Sequence, residues 1–417
     1  LQPQQPFHVD YGTDWKNGII TKQPPLLGDP FPVLVPQVDA NGNEESGIRN
    51  SEIAVPLATY IPYSLRQGLP GGNGEIADFR GTYIPFSTKE NPDDVRPPIQ
   101  TLYKGKSDYL NKVRLYLPSL IQQRFLLDRD IHRILERSSA YWNWINPYVL
   151  SDKAPIRMMS YNIRYDNPED GESRWDARKE MVYAVIDSLA PDFFGMQEAL
   201  EHQCKDVEKG TKGYRWIGVG RDDGQDQGEF SPIFYNRKKW KLLEENTFWL
   251  SDTPDRPSIG WDAALNRIVT WGKFQEKQSG EIIYVFNTHF DHRGVQARIN
   301  SAKLIREKIK EIAGEFPFLL SGDFNVNPQS EAYLALTNPQ EEHTIYDTKL
   351  LSTVNPEGPR GTFSGFIVNE HLPQNQIDYI FCSDEFDVEK FKVIVKSNGI
   401  RYASDHFTVE AVVRLRR

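Results

Sequence analysis

The tightest limit on the fold comes from Phe316-Pro317-Phe318-Leu319-Leu320-Ser321-Gly322-Asp323-Phe324-Asn325. An apolar run of strand length stops at a Ser-Gly break, and an acid and an amide follow two residues apart. A buried strand has period two, so Asp323 and Asn325 can face one crevice at its end. Carboxyl ends of strands in α/β sheets are where ligands usually sit. Alone, the stretch reads equally well as a strand followed by an Asp/Asn turn. Polar residues at comparable strand ends elsewhere turn it into a set.

At 417 residues the chain predicts two domains. Its 39% hydrophobic and 12% aromatic residues are enough for packed cores. No apolar run approaches the roughly 18 residues of a membrane span. A formal charge of -9 argues against stable binding of nucleic acid through a basic face, while leaving room for an enzyme that handles phosphate through a metal ion. Cys204 and Cys382 are the only cysteines and lie far apart, so neither a disulfide framework nor a zinc spacing is present. The first residue is Leu and no charged-then-apolar leader follows, which reads as a processed, trimmed or partial chain. The compartment stays open, export included.

Residues 1–150 hold 16 of the 28 prolines, a texture that separates them from the rest. Phe31 to Pro36 predicts a short strand, Asp39 to Asn43 a turn, and Ile53 to Tyr60 an edge strand because of Pro56. A Gly/Pro loop over Leu65 to Gly74 precedes Tyr83-Ile84-Pro85-Phe86. Helical spacing follows at Leu110, Val113 and Leu117 before Pro118. A second helix is expected from an Asp cap at 128 or 130, with Ile131, Ile134 and Leu135 inward. The segment Val33 to Asn43, the stretch Val55 to Tyr60, Glu75 to Phe86 and Arg124-Phe125-Leu126-Leu127 together resemble the C-terminal part of a bacterial α/β-hydrolase-like family. No Gly-x-Ser-x-Gly occurs in the chain, so no nucleophile elbow can be named. The expectation for 1–150 is a hydrolase-like segment without chemistry of its own, with a diverged binding module as the alternative.

After a linker around Asn146 to Pro155, a regular pattern occupies residues 155–417. Ile156 to Asn162 predicts a strand ending in an amide. A helix from Arg174 turns Trp175, Val182, Val185, Ile186 and Leu189 to one face and stops at Pro191. Phe193 to Glu198 is a strand ending in an acid. Trp216 to Val219 and Ile233 to Asn236 read as a hairpin around a polar loop. Thr247 to Leu250, Ile268 to Trp271 and Ile282 to Phe286 follow, the last feeding Asn287-Thr288-His289. A helix with Ile299, Ala302, Ile305, Ile309 and Ile312 inward leads to the strand that ends at Asp323. Gln376 to Phe381 and Ser404 to Val409 close the pattern. Strands outnumber helices, which predicts layered sheets with flanking helices.

Strand ends or adjacent turns thus carry Asn162, Glu198, His289, Asp323 with Asn325, Asp378, and Asp405 with His406. Each has a plainer reading alone: a loop cap, a solvated acid, a core histidine, a turn. As a set they supply hard oxygen ligands without thiols, which points to Mg²⁺ rather than zinc. Acids, imidazoles and amides are also the parts needed to split a phosphate ester.

Ser160-Tyr161-Asn162-Ile163-Arg164, Gln197-Glu198, Asn287-Thr288-His289, Gly322-Asp323-Phe324-Asn325, Ile377-Asp378-Tyr379-Ile380 and Ser404-Asp405-His406 resemble the ordered motifs of the endonuclease/exonuclease/phosphatase family. The resemblance implies a four-layer α/β sandwich of two mixed sheets flanked by helices, preceded by the smaller hydrolase-like segment. It implies a phosphoesterase acting on a phosphodiester or phosphomonoester by metal-assisted in-line attack of water. Carried over by position, Glu198, Asn162 and Asp405 form the metal site, for Mg²⁺ with Mn²⁺ as the alternative. Asp323 handles the attacking water, Asn325 holds water and phosphate, and His289 contacts a phosphate oxygen. His406, oriented by Asp378, stabilises the transition state. Nucleases of the apurinic-repair branch usually have an acid where this chain has Arg164 and lack Asn-Thr-His, so DNA repair is disfavoured. The loop Gly220 to Glu229 breaks the alternating ligand pattern of an EF-hand at Gly224 and is expected on the active-site rim, with a solvated turn as the alternative, and Ser258 to Asp262 and Arg267 are read as rim in the same way. The competing readings are a carboxylic-ester hydrolase remnant and a non-catalytic binding protein.

Overall fold

The computed structural model describes residues 3–67, 74–146, 151–340, 343–368 and 371–416. By packing, the chain divides into Leu1–Gln123 and Arg124–Arg417. Most of the Leu65 to Gly74 loop and part of the Asn146 to Pro155 linker fall outside the described residues.

The first unit is built from antiparallel strand pairs: Phe7–Asp10 with Leu26–Pro30, Ala58–Ile61 with Thr82–Pro85, and Ser64–Leu65 with Ile76–Asp78. The helix Lys106–Gln122 buries Tyr109, Leu110, Val113, Leu117 and Leu120. It runs through Pro118 instead of ending there. The strand expected over Phe31 to Pro36 does not form. Leu34 is 92% exposed, and Pro32 and Pro36 lack the N–H that a ladder needs. Ser51–Ala54 is helical, capped by the Asn50 side chain on Ile53 N, which shortens the strand expected from Ile53 to Ala58–Ile61.

In the second unit each of two six-stranded sheets has a parallel pair at its centre. One runs in the order Phe386–Ile394, Thr408–Leu415, Ile156–Asn162, Phe193–Gln197, Ile233–Asn236, Tyr214–Ile217. The other runs Trp240–Trp249, Ile268–Glu276, Ile282–His289, Phe318–Asp323, Asp378–Cys382, Tyr346–Asp347. The parallel pairs are Ile156–Asn162 with Phe193–Gln197, and Ile282–His289 with Phe318–Asp323; the remaining pairings are antiparallel. A parallel pair needs a crossover, supplied by helix Trp175–Leu189 for the first and Val295–Ala313 for the second. Each helix buries its apolar stripe on the outer face of its own sheet: Val182, Val185 and Ile186 on one side, Ile299, Ala302, Ile305 and Ile309 on the other. The inner faces meet, as Phe193 does with Phe274 at 4.9 Å between ring centroids. The result is helix, sheet, sheet, helix.

Where the inner faces approach most closely the contact is polar. A Cβ on Gly195 would lie 2.3 Å from both Asn287 Oδ1 and Ser321 Oγ. Asn287 Nδ2 donates to the carbonyls of Met196 (2.7 Å) and Pro232 (2.9 Å), and its Oδ1 accepts from Gln197 Nε2 (2.7 Å) and Ser321 Oγ (2.9 Å). This stitch sets the distance between the two parallel pairs, whose carboxyl ends bear the functional set.

Helix Ile131–Ile145 packs within the second unit. Ser139 Oγ donates to Leu350 O (2.8 Å), Asn143 Nδ2 donates to Ser352 O (3.0 Å), and Glu136 pairs with Lys349 at 3.4 Å. Asp130 is its N-cap, without a capping bond from the side chain. Among the described residues no helix is long and apolar enough to cross a membrane.

Candidate active site

Register lines up the site across the second sheet. His289 is opposite Asp323, and Asp323 is opposite Asp378. In the first sheet Asn162 is opposite Gln197, so Glu198 follows one residue beyond the strand. Three residues that line the site take left-handed backbone, Arg164 (φ 58°), Glu198 (φ 60°) and Asn325 (φ 50°), a strained choice for residues with a Cβ that is often found at functional sites. The buried Arg178 guanidinium binds the carbonyls of Ile163, Arg164 (2.7 Å) and Ala403 (3.2 Å), and Ser404 Oγ donates to Asn162 O (2.7 Å). These bonds hold the turn after Asn162 against the turn that carries Asp405 and His406.

All eight expected residues converge. Glu198, His289, Asp323, Asn325, Asp405 and His406 line one cleft of about 630 Å³. Asn162 and Asp378 lie just beneath it, fully buried. Asn162 Nδ2 donates to Glu198 Oε1 (3.1 Å) and Asp323 Oδ2 (3.0 Å). Asp323 Oδ1 accepts from Asn325 N at 3.0 Å, while its Oδ2 is 3.5 Å from His289 Nε2 and 3.7 Å from His406 Nε2. His406 Nδ1 donates to Asp378 Oδ2 at 2.9 Å. Asn325 Nδ2 donates to His289 Nε2 at 3.1 Å and to Phe290 O at 3.1 Å, which pins the turn after Asp323.

The two imidazoles differ in charge. Burial, joined by Arg267 and Arg221, pushes His289 well below its usual value. Burial also opposes charge on His406, but Asp378 and Asp323 outweigh it and hold His406 well above. Burial, helped by Asp378, raises Asp323 to about 7, against the pull of His406. Burial raises Asp405 and Glu229 as well, and Glu198 adds repulsion to each. A cluster of oxygen acids that repel one another, with both cysteines buried elsewhere, fits a hard divalent cation, while Asn162 turns its Nδ2 to these acids and its Oδ1 to Arg164 N (3.0 Å). Asp323, Asp378 and His406 also place one ligand atom each within 4.8 Å of one another, but His406 Nδ1 is already engaged by Asp378.

Further residues line the cleft, some of them expected there and some not. Arg221 and Glu229 come from the loop expected on the rim, and Arg221 Nη1 donates to Glu229 Oε2 at 2.6 Å. Arg267 also lines the cleft. None of Ser258 to Asp262 does; the Asp262 carboxylate instead caps helix Val295–Ala313 by accepting from Ala297 N (2.6 Å) and Gln296 N (3.2 Å). Tyr165, His292 and Phe363 sit in irregular backbone, where no periodicity marks them. Arg164 holds Asp170 through two bonds of 3.0 Å and lies 3.6 Å from Glu198.

The model of the endonuclease/exonuclease/phosphatase family matches residues 159–406, more than half of the chain. The chain belongs to that family. Members of this family are phosphoester hydrolases, nucleases and phosphatases among them. Residues 3–136 match an alpha/beta hydrolase domain. A solved endonuclease/exonuclease/phosphatase protein from Bacteroides vulgatus is 40% identical, with a TM-score of 0.60, covering 63% of this chain and 100% of its own. A mannosyl-6-phosphatase from Bacteroides thetaiotaomicron is 37% identical, with a TM-score of 0.58, covering 62% and 99%. An uncharacterized protein, L388, of Acanthamoeba polyphaga mimivirus is 32% identical over 162 residues, which span 37% of this chain and 60% of the relative.

Proposed function

We propose that the chain is a divalent-cation-dependent phosphoester hydrolase whose reaction centre is Asp323 and the imidazoles beside it. The observation that carries this reading is the convergence of Asn162 Nδ2, His289 Nε2 and His406 Nε2 on one carboxylate oxygen, at 3.0, 3.5 and 3.7 Å. The reaction is in-line attack of water on phosphorus. The new P–O bond forms as Asp323 takes a proton of the water, the P–O bond to the ester oxygen breaks with its electron pair on that oxygen, and the leaving alcohol takes up a proton from solvent. His406, kept charged and oriented by Asp378, faces the negative charge that grows on the phosphoryl group. On the other flank His289 and Asn325, hydrogen-bonded to each other in the free protein, would exchange that bond for one to a phosphate oxygen.

Glu198 and Asp405 are the residues that would hold the cation, with Mg²⁺ the best match to their oxygen donors and Mn²⁺ the alternative, while Asn162, whose Oδ1 accepts from Arg164 N at 3.0 Å, supports the site by donating from Nδ2 to Glu198 instead of ligating as expected. When bound, it polarises a phosphoryl oxygen as a Lewis acid. Likeness to a mannosyl-6-phosphatase supports a phosphomonoester of a sugar as substrate. The chemistry is assigned to residues 155–417 and none to 1–150, since the chain has no Gly-x-Ser-x-Gly elbow. A panel of phosphomonoesters and phosphodiesters assayed with Mg²⁺ and with excess chelator tests the reading. Hydrolysis of at least one, abolished by chelator, is expected; undiminished turnover in chelator would sink the metal-dependent mechanism.

A further inference from the structure

Beyond His289 the cleft wall contains cations that the mechanism above does not use. Arg221 is 7% exposed and Arg267 4%, yet both line the cleft, together with the exposed His292. Buried guanidinium groups are costly unless their donors are met. Arg221 has Glu229, at 2.6 Å. Arg267 Nε donates to Asp291 Oδ2 at 3.4 Å, and its Nη2 donates to His292 Nδ1 at 3.1 Å. Arg221 Nε, 3.9 Å from Asp222 Oδ1, and Arg267 Nη1 are buried without a hydrogen-bond partner among the described residues. A pair kept only for structure would be expected to satisfy these donors. Spare donors on planar forks suit a phosphate.

The position of this wall narrows its role. Glu229 Oε2, which Arg221 grips, is 3.8 Å from His289 Nδ1, so the arginines begin one imidazole away from Asp323. On the opposite flank His406 packs edge-on against Phe363, 5.0 Å between ring centroids, and Phe363 is 48% exposed. One side of the reaction centre therefore holds two guanidiniums, each paired with a carboxylate, and the other an exposed aromatic ring.

We propose that Arg221, Arg267 and His292 form a second anion subsite, and that the substrate is a phosphomonoester bearing a further phosphate. The inference rests on the phosphoesterase reading. A matched pair tests it: mannose 6-phosphate and mannose 1,6-bisphosphate, with the full chain and Mg²⁺. The bisphosphate is expected to have a kcat/KM higher by about tenfold or more, mainly through KM, as one charge-assisted contact would give. Arg267→Gln should reduce that ratio to within about twofold of one. His292→Ala tests the same point at an exposed position, where folding is not at risk, and should narrow the ratio by roughly half or more. Equal kcat/KM for the pair in the wild type, or a ratio that survives both substitutions, would overturn the subsite. If neither sugar is turned over, the phosphoesterase reading fails for this pair and calorimetric titration decides the subsite separately. Tighter binding of the bisphosphate, lost in Arg267→Gln, would support it; equal binding would overturn it.

Discussion

Asp323 lies between a neutral and a charged imidazole, and this asymmetry dictates what each substitution should do. Loss of the water-handling carboxylate in Asp323→Asn should lower kcat by about 10²–10⁴. Loss of the charged donor in His406→Ala should lower it by about 10²–10³. KM should stay within a few-fold in both, and the double variant should lose less than the product, because both groups serve one transition state. Steady-state kinetics with Mg²⁺ checks this, and near-normal kcat in Asp323→Asn would return the strand end to a plain turn. Glu198→Gln should raise the Mg²⁺ concentration for half-maximal rate by about tenfold or more without unfolding the protein. A separate residue governs acid stability. Burial would raise Glu136, but His132 and Lys349 overcome it and hold it at about 2 against an ordinary 4.5. A depressed acid adds stability above its unfolded value and loses it as pH falls from about 4.5 toward 2. Urea melts should therefore show Glu136→Gln less stable by about 1–2 kcal/mol at neutral pH, with the difference gone below about pH 2.

At the scale of elements, the stitch between the sheets is the feature most sensitive to change. Gly195→Ala would put a Cβ 2.3 Å from Asn287 Oδ1 and Ser321 Oγ, which forces the sheets apart locally and should cost about 1–3 kcal/mol. Asn287→Ala would strip partners from Met196 O, Pro232 O and Gln197 Nε2, with a cost of about 1–3 kcal/mol for each group left dry. Thermal melts measure both; a Gly195→Ala protein as stable as wild type would mean the approach is loose. The strands Ile156–Asn162 and Phe318–Asp323 were legible because they are apolar runs with sharp polar ends. Trp240–Trp249 was legible only in its last third, since Lys241, Glu244 and Glu245 face solvent and read as loop. Phe386–Ile394 went unseen for the same reason: Glu389, Lys390 and Lys392 interrupt its buried positions.

For the whole molecule, the division at Gln123 has a direct consequence. Helix Ile131–Ile145 buries Leu135, Ser139 and Trp142 within the second unit. A protein starting at Arg124 should keep phosphoesterase activity. One starting at Ser151 loses that helix and should melt lower by about 5 °C or more. Calorimetry of the two truncations, each assayed on the same phosphoester, decides the matter; identical melting would show that the helix adds nothing to the catalytic unit.

The order of the motifs, the two textures of the chain and the eight polar residues at strand ends were all present in the amino-acid sequence. Those residues could be read because buried strands are short apolar runs and a polar residue at their end stands out. Register, by contrast, joins residues far apart in the chain, and tertiary structure alone put His289 opposite Asp323 and Asp323 opposite Asp378. The opposite pKa shifts of His289 and His406 arise from burial and from neighbours on other strands, which no local pattern encodes. Tyr165 and His292 reach the cleft on irregular backbone, where neither period two nor period 3.6 exists to point the way.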